Sequence, residues 1–94
     1  MTIQQTPIKH SFVYDGAQLN VYHANKGWGL PKHEHIFSHA TMCHSGSCLV
    51  SLQGRSYTIN KNSIPLNLPA NEWHEIEALE DGTVFVNVFA EGKY

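Results

Sequence analysis

The chain has 94 residues, enough for one compact core, and reads as one domain spanning 1–94. Its formal charge of −2 comes from scattered residues, and no basic run interleaved with aromatics is present, which argues against a nucleic-acid partner. The first ten residues are polar and no apolar run is long enough to span a bilayer, so the expectation is a cytoplasmic protein with no membrane association.

In chain order, Ile8 to Tyr14 and Ala17 to His23 are β-rich segments separated by Asp15-Gly16, a strong hairpin signal. Asn25 to Gly29 reads as a glycine-rich loop. His33 to Cys43 is predicted as one long third strand, Cys48 to Leu52 as a fourth and Ser56 to Asn60 as a fifth. Ile64 to Leu68 is a brief apolar piece ending at Pro69, His74 to Leu79 alternates, and Val84 to Ala90 follows the Glu80-Asp81-Gly82 turn. No segment has a helical period, and the spacing of turns predicts an all-β sandwich or barrel. Cys43 and Cys48 flank a short turn; a disulfide fits that spacing, while a cytosolic setting favours free thiols.

Three of the seven histidines, His33, His35 and His39, have the same parity on the predicted third strand and so share one face with Phe37. Two imidazoles two residues apart can lean toward one ion with bonds of about 2.0 to 2.2 Å, whereas a third from the same strand requires a twist or bulge. Imidazole ligands suit zinc, copper, nickel and iron rather than calcium or magnesium. The same three residues also read as a solvated strand face or a polar patch. His10, His23 and His44 read as ordinary histidines away from this face. Tyr22, Tyr57, Phe85 and Phe89 read as core residues, and Glu72 and Glu75 as solvated flanks of His74.

The stretch Gly27, five residues, His33-x-His35, three residues, His39, six residues, Gly46 resembles the first motif of the cupin superfamily, with His39 where glutamate is usual. A looser match to the second motif retains Pro69 and His74; Ser63 and Asn71 replace its glycines and Ala78 its terminal asparagine. Asn71 is a mild departure, because asparagine tolerates the left-handed backbone that glycine would supply.

The resemblance implies a small antiparallel β-barrel of the cupin, double-stranded β-helix or jelly-roll type. It implies His33, His35, His39 and His74 as ligands of one divalent transition metal: Fe, Mn, Ni, Zn or Cu. An open site of this kind implies a metal-dependent enzyme of oxygenase, isomerase or lyase type on a small oxygen-rich substrate. A closed tetrahedral zinc site is the structural alternative. The functional alternative is a non-catalytic metal-dependent small-molecule binding or sensor module, since this architecture hosts many functions. Exposed strand edges add the expectation of a homodimer.

Overall fold

Asp15 and Gly16 both have positive φ, 50° and 81°, and so form the tight turn that the right-handed twist of a hairpin requires. The turn joins β1 (Ile8–Tyr14) to β2 (Ala17–Ala24) in uninterrupted antiparallel register from Ile8↔His23 to Tyr14↔Ala17. This is a computed structural model, and it describes residues 3–93. The chain continues through β3 (Gly29–His33), β4 (His39–Ser45), β5 (Ser47–Leu52), β6 (Arg55–Asn60), β7 (Leu66–Leu68), β8 (His74–Ala78) and β9 (Thr83–Ala90). Among the described residues no helix is long and apolar enough to cross a membrane.

The strands form two antiparallel sheets, β1-β2-β9-β4-β7 and β3-β8-β5-β6. Neither sheet closes on itself, which corrects the expected β-barrel: the architecture is an open, jelly-roll-like double sheet. β7, only three residues long, ends one sheet, and β6 ends the other without a ladder between them. Closure would need hydrogen bonds across both seams, and no ladder joins the two sheets.

Alternation fills the space between the sheets. Tyr22, Cys43, Phe85 and Leu68 from the first sheet meet Cys48, Val50, Leu52, Ile59, Ile76 and Ala78 from the second. Tyr22 stacks on Phe85 with ring centroids 4.9 Å apart. Burying side chains of this size contributes roughly 1.5–3 kcal/mol each. Tyr57, expected in this core, is 41% exposed, because β6 is an edge strand. Cys43 and Cys48 are both buried free thiols.

The single strand expected from His33 to Cys43 is two strands belonging to different sheets. β3 ends at His33 in the smaller sheet, residues 34–38 cross the gap, and β4 begins at His39 in the larger one. The five residues before this crossing, expected to be loop at Gly29, are strand: the backbone of Gly29 lies so close to Ile76 that a Cβ there would overlap the Ile76 carbonyl oxygen.

Candidate metal centre

β3 carries Pro31, which has no N–H to give to a ladder, and its pairing with β8 slips by one residue between Leu30↔Ile76 and His33↔His74. Leu30 packs against the core. Strict alternation from there would turn Lys32 inward and His33 outward. The extra residue reverses the parity, so His33 stands opposite His74 and their Nε2 atoms approach to 3.1 Å.

Backbone carbonyls fix the orientation of three rings. Nδ1–H of His33 donates to the Pro31 oxygen (2.7 Å), that of His35 to the Phe37 oxygen (2.8 Å), and that of His74, more weakly, to the Glu72 oxygen (3.3 Å). These partners favour the Nδ1–H tautomer in each ring and make Nε2 the atom that could coordinate a metal, the arrangement usual for metal-ligating histidine. The segment bearing His35 is clamped from the second motif: the Asn71 N–H donates to the His35 carbonyl oxygen at 2.8 Å. Asn71 has φ 61°, the left-handed conformation its sequence position foreshadowed.

His33, His35 and His74 thus form one group whose ligand atoms all lie within 4.8 Å of one another. The fit to an ion can be tested on the closest pair. Two nitrogens bound at about 2.1 Å are about 3.0 Å apart at right-angled positions and about 3.4 Å apart at tetrahedral ones, so the observed 3.1 Å is a ligand-pair distance. With both Nδ1 protons committed to carbonyls, the two Nε2 lone pairs would face each other across that gap, and a cation between them would relieve the repulsion. The donor set suits a transition metal, and no carboxylate belongs to the group.

His39, the fourth expected ligand, lies outside this compact group but against it. Its ring centroid is 5.0 Å from that of His35 and 5.1 Å from that of His74. At 3% exposure it is desolvated, and together with the neighbouring His74, His35 and His33 this lowers its pKa to about 3. Burial, with His33 and His35 nearby, lowers that of His74 to about 4. Both rings are therefore neutral at pH 7 and keep a lone pair for a metal.

The other candidates fall as follows. Glu72 contributes its carbonyl to His74, while its carboxylate pairs with Arg55 at 2.7 Å. Glu75 pairs with Ser51 and points away from the core. His10 and His23 make an edge-to-face pair, 5.5 Å between centroids, on the first hairpin, and His44 is exposed where the β4–β9 register slips.

One feature near the site was not read from the sequence. Ser11, Asn20, Asn87 and Thr41 stand in register across β1, β2, β9 and β4 on the inner face. Ser11 donates to Asn20 Oδ1 (2.7 Å) and Thr41 to Asn87 Oδ1 (2.6 Å). The signal was present, since Asn20 sits between Leu19 and Val21 and Asn87 between Val86 and Val88, each a polar residue at an inward position. Beside this row, a cleft of about 520 Å³ is lined by Lys9, Gln18, Asn20, Tyr22, Phe89 and Gly92 rather than by the histidines.

No protein-family model and no curated protein matches the sequence. Solved structures do match the fold. A cupin 2 domain-containing protein from Halorhodospira halophila superposes with a TM-score of 0.81 at 14% identity, covering 95% of this chain and 67% of that one. KdgF from Halomonas sp. gives 0.77 at 15% identity over 87% of this chain and 77% of its own. An RmlC-like cupin family protein with a double-stranded β-helix fold from Methanocaldococcus jannaschii gives 0.76 at 17% identity, covering 89% and 79%. The chain has the cupin-superfamily fold, with a three-histidine cluster as its candidate metal site and no glutamate where the motif usually carries one.

Proposed function

We propose that this chain is a metal-dependent cupin enzyme, of oxygenase, isomerase or lyase type, acting on a small oxygen-rich molecule through one divalent transition metal held by His33, His35, His39 and His74. The observation that carries the reading is the 3.1 Å approach of the His33 and His74 Nε2 atoms, each ring oriented by a carbonyl behind it. His39, whose ring lies against those of His35 and His74, would be the fourth ligand. Four neutral ligands leave the full charge of the ion uncompensated, so bound metal supplies a strong Lewis acid for anionic or enolate oxygen.

The substrate side is supplied by the inner face of the larger sheet. Asn20 and Gln18 offer amide groups to hydroxyls, Lys9 offers a cation to a carboxylate, and Phe89 offers an apolar wall. The Asn87 side-chain Nδ2, buried without a hydrogen-bond partner among the described residues, is a further donor beside the cleft. A group left this way costs about 1–3 kcal/mol, which a bound oxygen acceptor would recover.

Among the described residues no Asp or Glu side chain lines the cleft. That observation favours the second reading, a binding or sensor module that uses the same metal and pocket without turnover.

The test is the metal content of untagged protein by elemental mass spectrometry beside a His35→Ala variant, followed by a panel of carbonyl and acid compounds with oxygen uptake monitored. Near one equivalent of iron, manganese, nickel, copper or zinc, lost in the variant, with product formed, is expected. Protein that contains no metal and cannot be loaded sinks the metal reading, and saturable binding without product moves the chain to the sensor class.

A further inference from the structure

Residues 71–73 reach the three clustered histidines one after another. The Asn71 N–H holds the His35 carbonyl oxygen at 2.8 Å, and the Glu72 carbonyl accepts from the His74 ring at 3.3 Å. The Trp73 ring lies beneath the Lys32 ammonium, which is 4.5 Å from its centroid and so within cation–π range, and Lys32 directly precedes His33. This short segment is itself tied to β6. The Glu72 carboxylate meets Arg55 at 2.7 Å, and Arg55 stands in one row with Leu52, His74 and His33 across β6, β5, β8 and β3.

These contacts fall where the ladder between β3 and β8 is weakest. Pro31 has no N–H to give, and the register slips between Leu30 and His33, so the regular pairing is interrupted just before the histidines. Lys32 and Trp73 each adjoin one of the two inward histidines. Neighbouring residues on a strand point to opposite faces, so the cation and the ring close the strands from outside while His33 and His74 approach within.

We propose that Lys32, Trp73 and the Arg55–Glu72 pair are positioning residues of the metal centre, which set the gap between the His33 and His74 Nε2 atoms without being ligands. The inference rests on the metal reading of those histidines. The gap is a sensitive quantity. Two nitrogens with bonds of about 2.1 Å subtend about 95° at an ion when 3.1 Å apart, and about 155° when the gap widens by about 1 Å. A small parting of β3 from β8 therefore takes the pair out of any octahedral or tetrahedral arrangement of neighbouring ligands.

The experiment is calorimetric titration of the chelator-stripped full chain, first with Mn, Fe(II), Ni, Cu and Zn to find the ion that wild type binds most tightly, then with that ion for each variant. Lys32→Met and Trp73→Leu are each expected to weaken binding about 10- to 100-fold, and Arg55→Gln by the lower end of that range. Lys32→Arg and Trp73→Phe keep a cation over a ring and are expected to retain most of the affinity. Thermal melts of the metal-free proteins are expected to differ by only a few degrees, since Lys32 is exposed and Trp73 only half-buried. The sign for Lys32→Met separates positioning from charge: deleting a nearby positive charge by itself tightens cation binding, whereas losing the clamp weakens it. Lys32→Met that binds as tightly as wild type or more tightly overturns the proposal and leaves the histidine site standing. A loss of equal size in Lys32→Arg and Trp73→Phe also overturns it. Wild type that takes up none of the five ions sinks the metal reading, and the proposal with it.

Discussion

Replacing His35 with alanine separates the metal from the fold, because His35 sits half-buried in the 34–38 crossing rather than in the core. A metal present at about 100 times its dissociation constant stabilises the native state by about 2.7 kcal/mol. For a chain of this size each kcal/mol moves Tm by roughly 4–8 °C, so wild type should melt about 11–22 °C higher with a fitting metal than with a chelator. Without metal, His35→Ala loses mainly the 2.8 Å hydrogen bond to the Phe37 oxygen, about 1 kcal/mol and thus several degrees. If loss of one ligand weakens binding 100-fold, the same metal concentration then adds only about 0.4 kcal/mol, and the metal-dependent shift shrinks to a few degrees. Thermal melts by circular dichroism with Mn, Fe(II), Ni, Cu and Zn measure both quantities. An equal metal shift in wild type and His35→Ala, or no shift in wild type with any of these ions, would refute the placement of the site.

Gly29→Ala is expected to cost more than about 2 kcal/mol and to weaken metal binding, because the added Cβ overlaps the Ile76 carbonyl oxygen and pries β3 from β8 where His33 meets His74. Gly54→Ala, at φ +82° but in open space, should cost only about 1–2 kcal/mol and leave metal affinity unchanged; equal effects of the two substitutions in urea melts and metal titrations contradict this account. Thr41→Val removes the 2.6 Å bond to Asn87 and strands a buried amide oxygen, so a loss of about 1–3 kcal/mol in urea unfolding is expected, and a loss under about 0.5 kcal/mol would be inconsistent with a buried network. In chelated protein the unfolded chain takes up a proton near pH 6.5 that folded His39, held to about 3, refuses. Stability is therefore lost as pH falls from 6.5 toward 3, by about 2 kcal/mol at pH 5 from this residue; equal stability at pH 8 and pH 5 would contradict it.

Several features were legible from local sequence because local chemistry determines them. Asp15-Gly16 forms its hairpin because both residues accept positive φ, and Asn71 takes the left-handed conformation in place of a motif glycine. The inward face of β9 follows from plain alternation of Thr83, Phe85, Asn87 and Phe89 with valines. The alternate spacing of His33, His35 and His39 singled out the segment that supplies two of the three clustered histidines, His33 and His35. The distribution of those histidines over two sheets was not legible, nor was the open edge that replaces a barrel seam, because sheet membership depends on which distant strand offers hydrogen bonds. The slip at Pro31 shows the limit most clearly. Parity counted along β3 from Leu30 turns His33 outward, and only the register against β8 brings it inward to face His74. Alternation is a property of a chain segment, whereas a bulge is a mismatch between two segments and exists only once they pair.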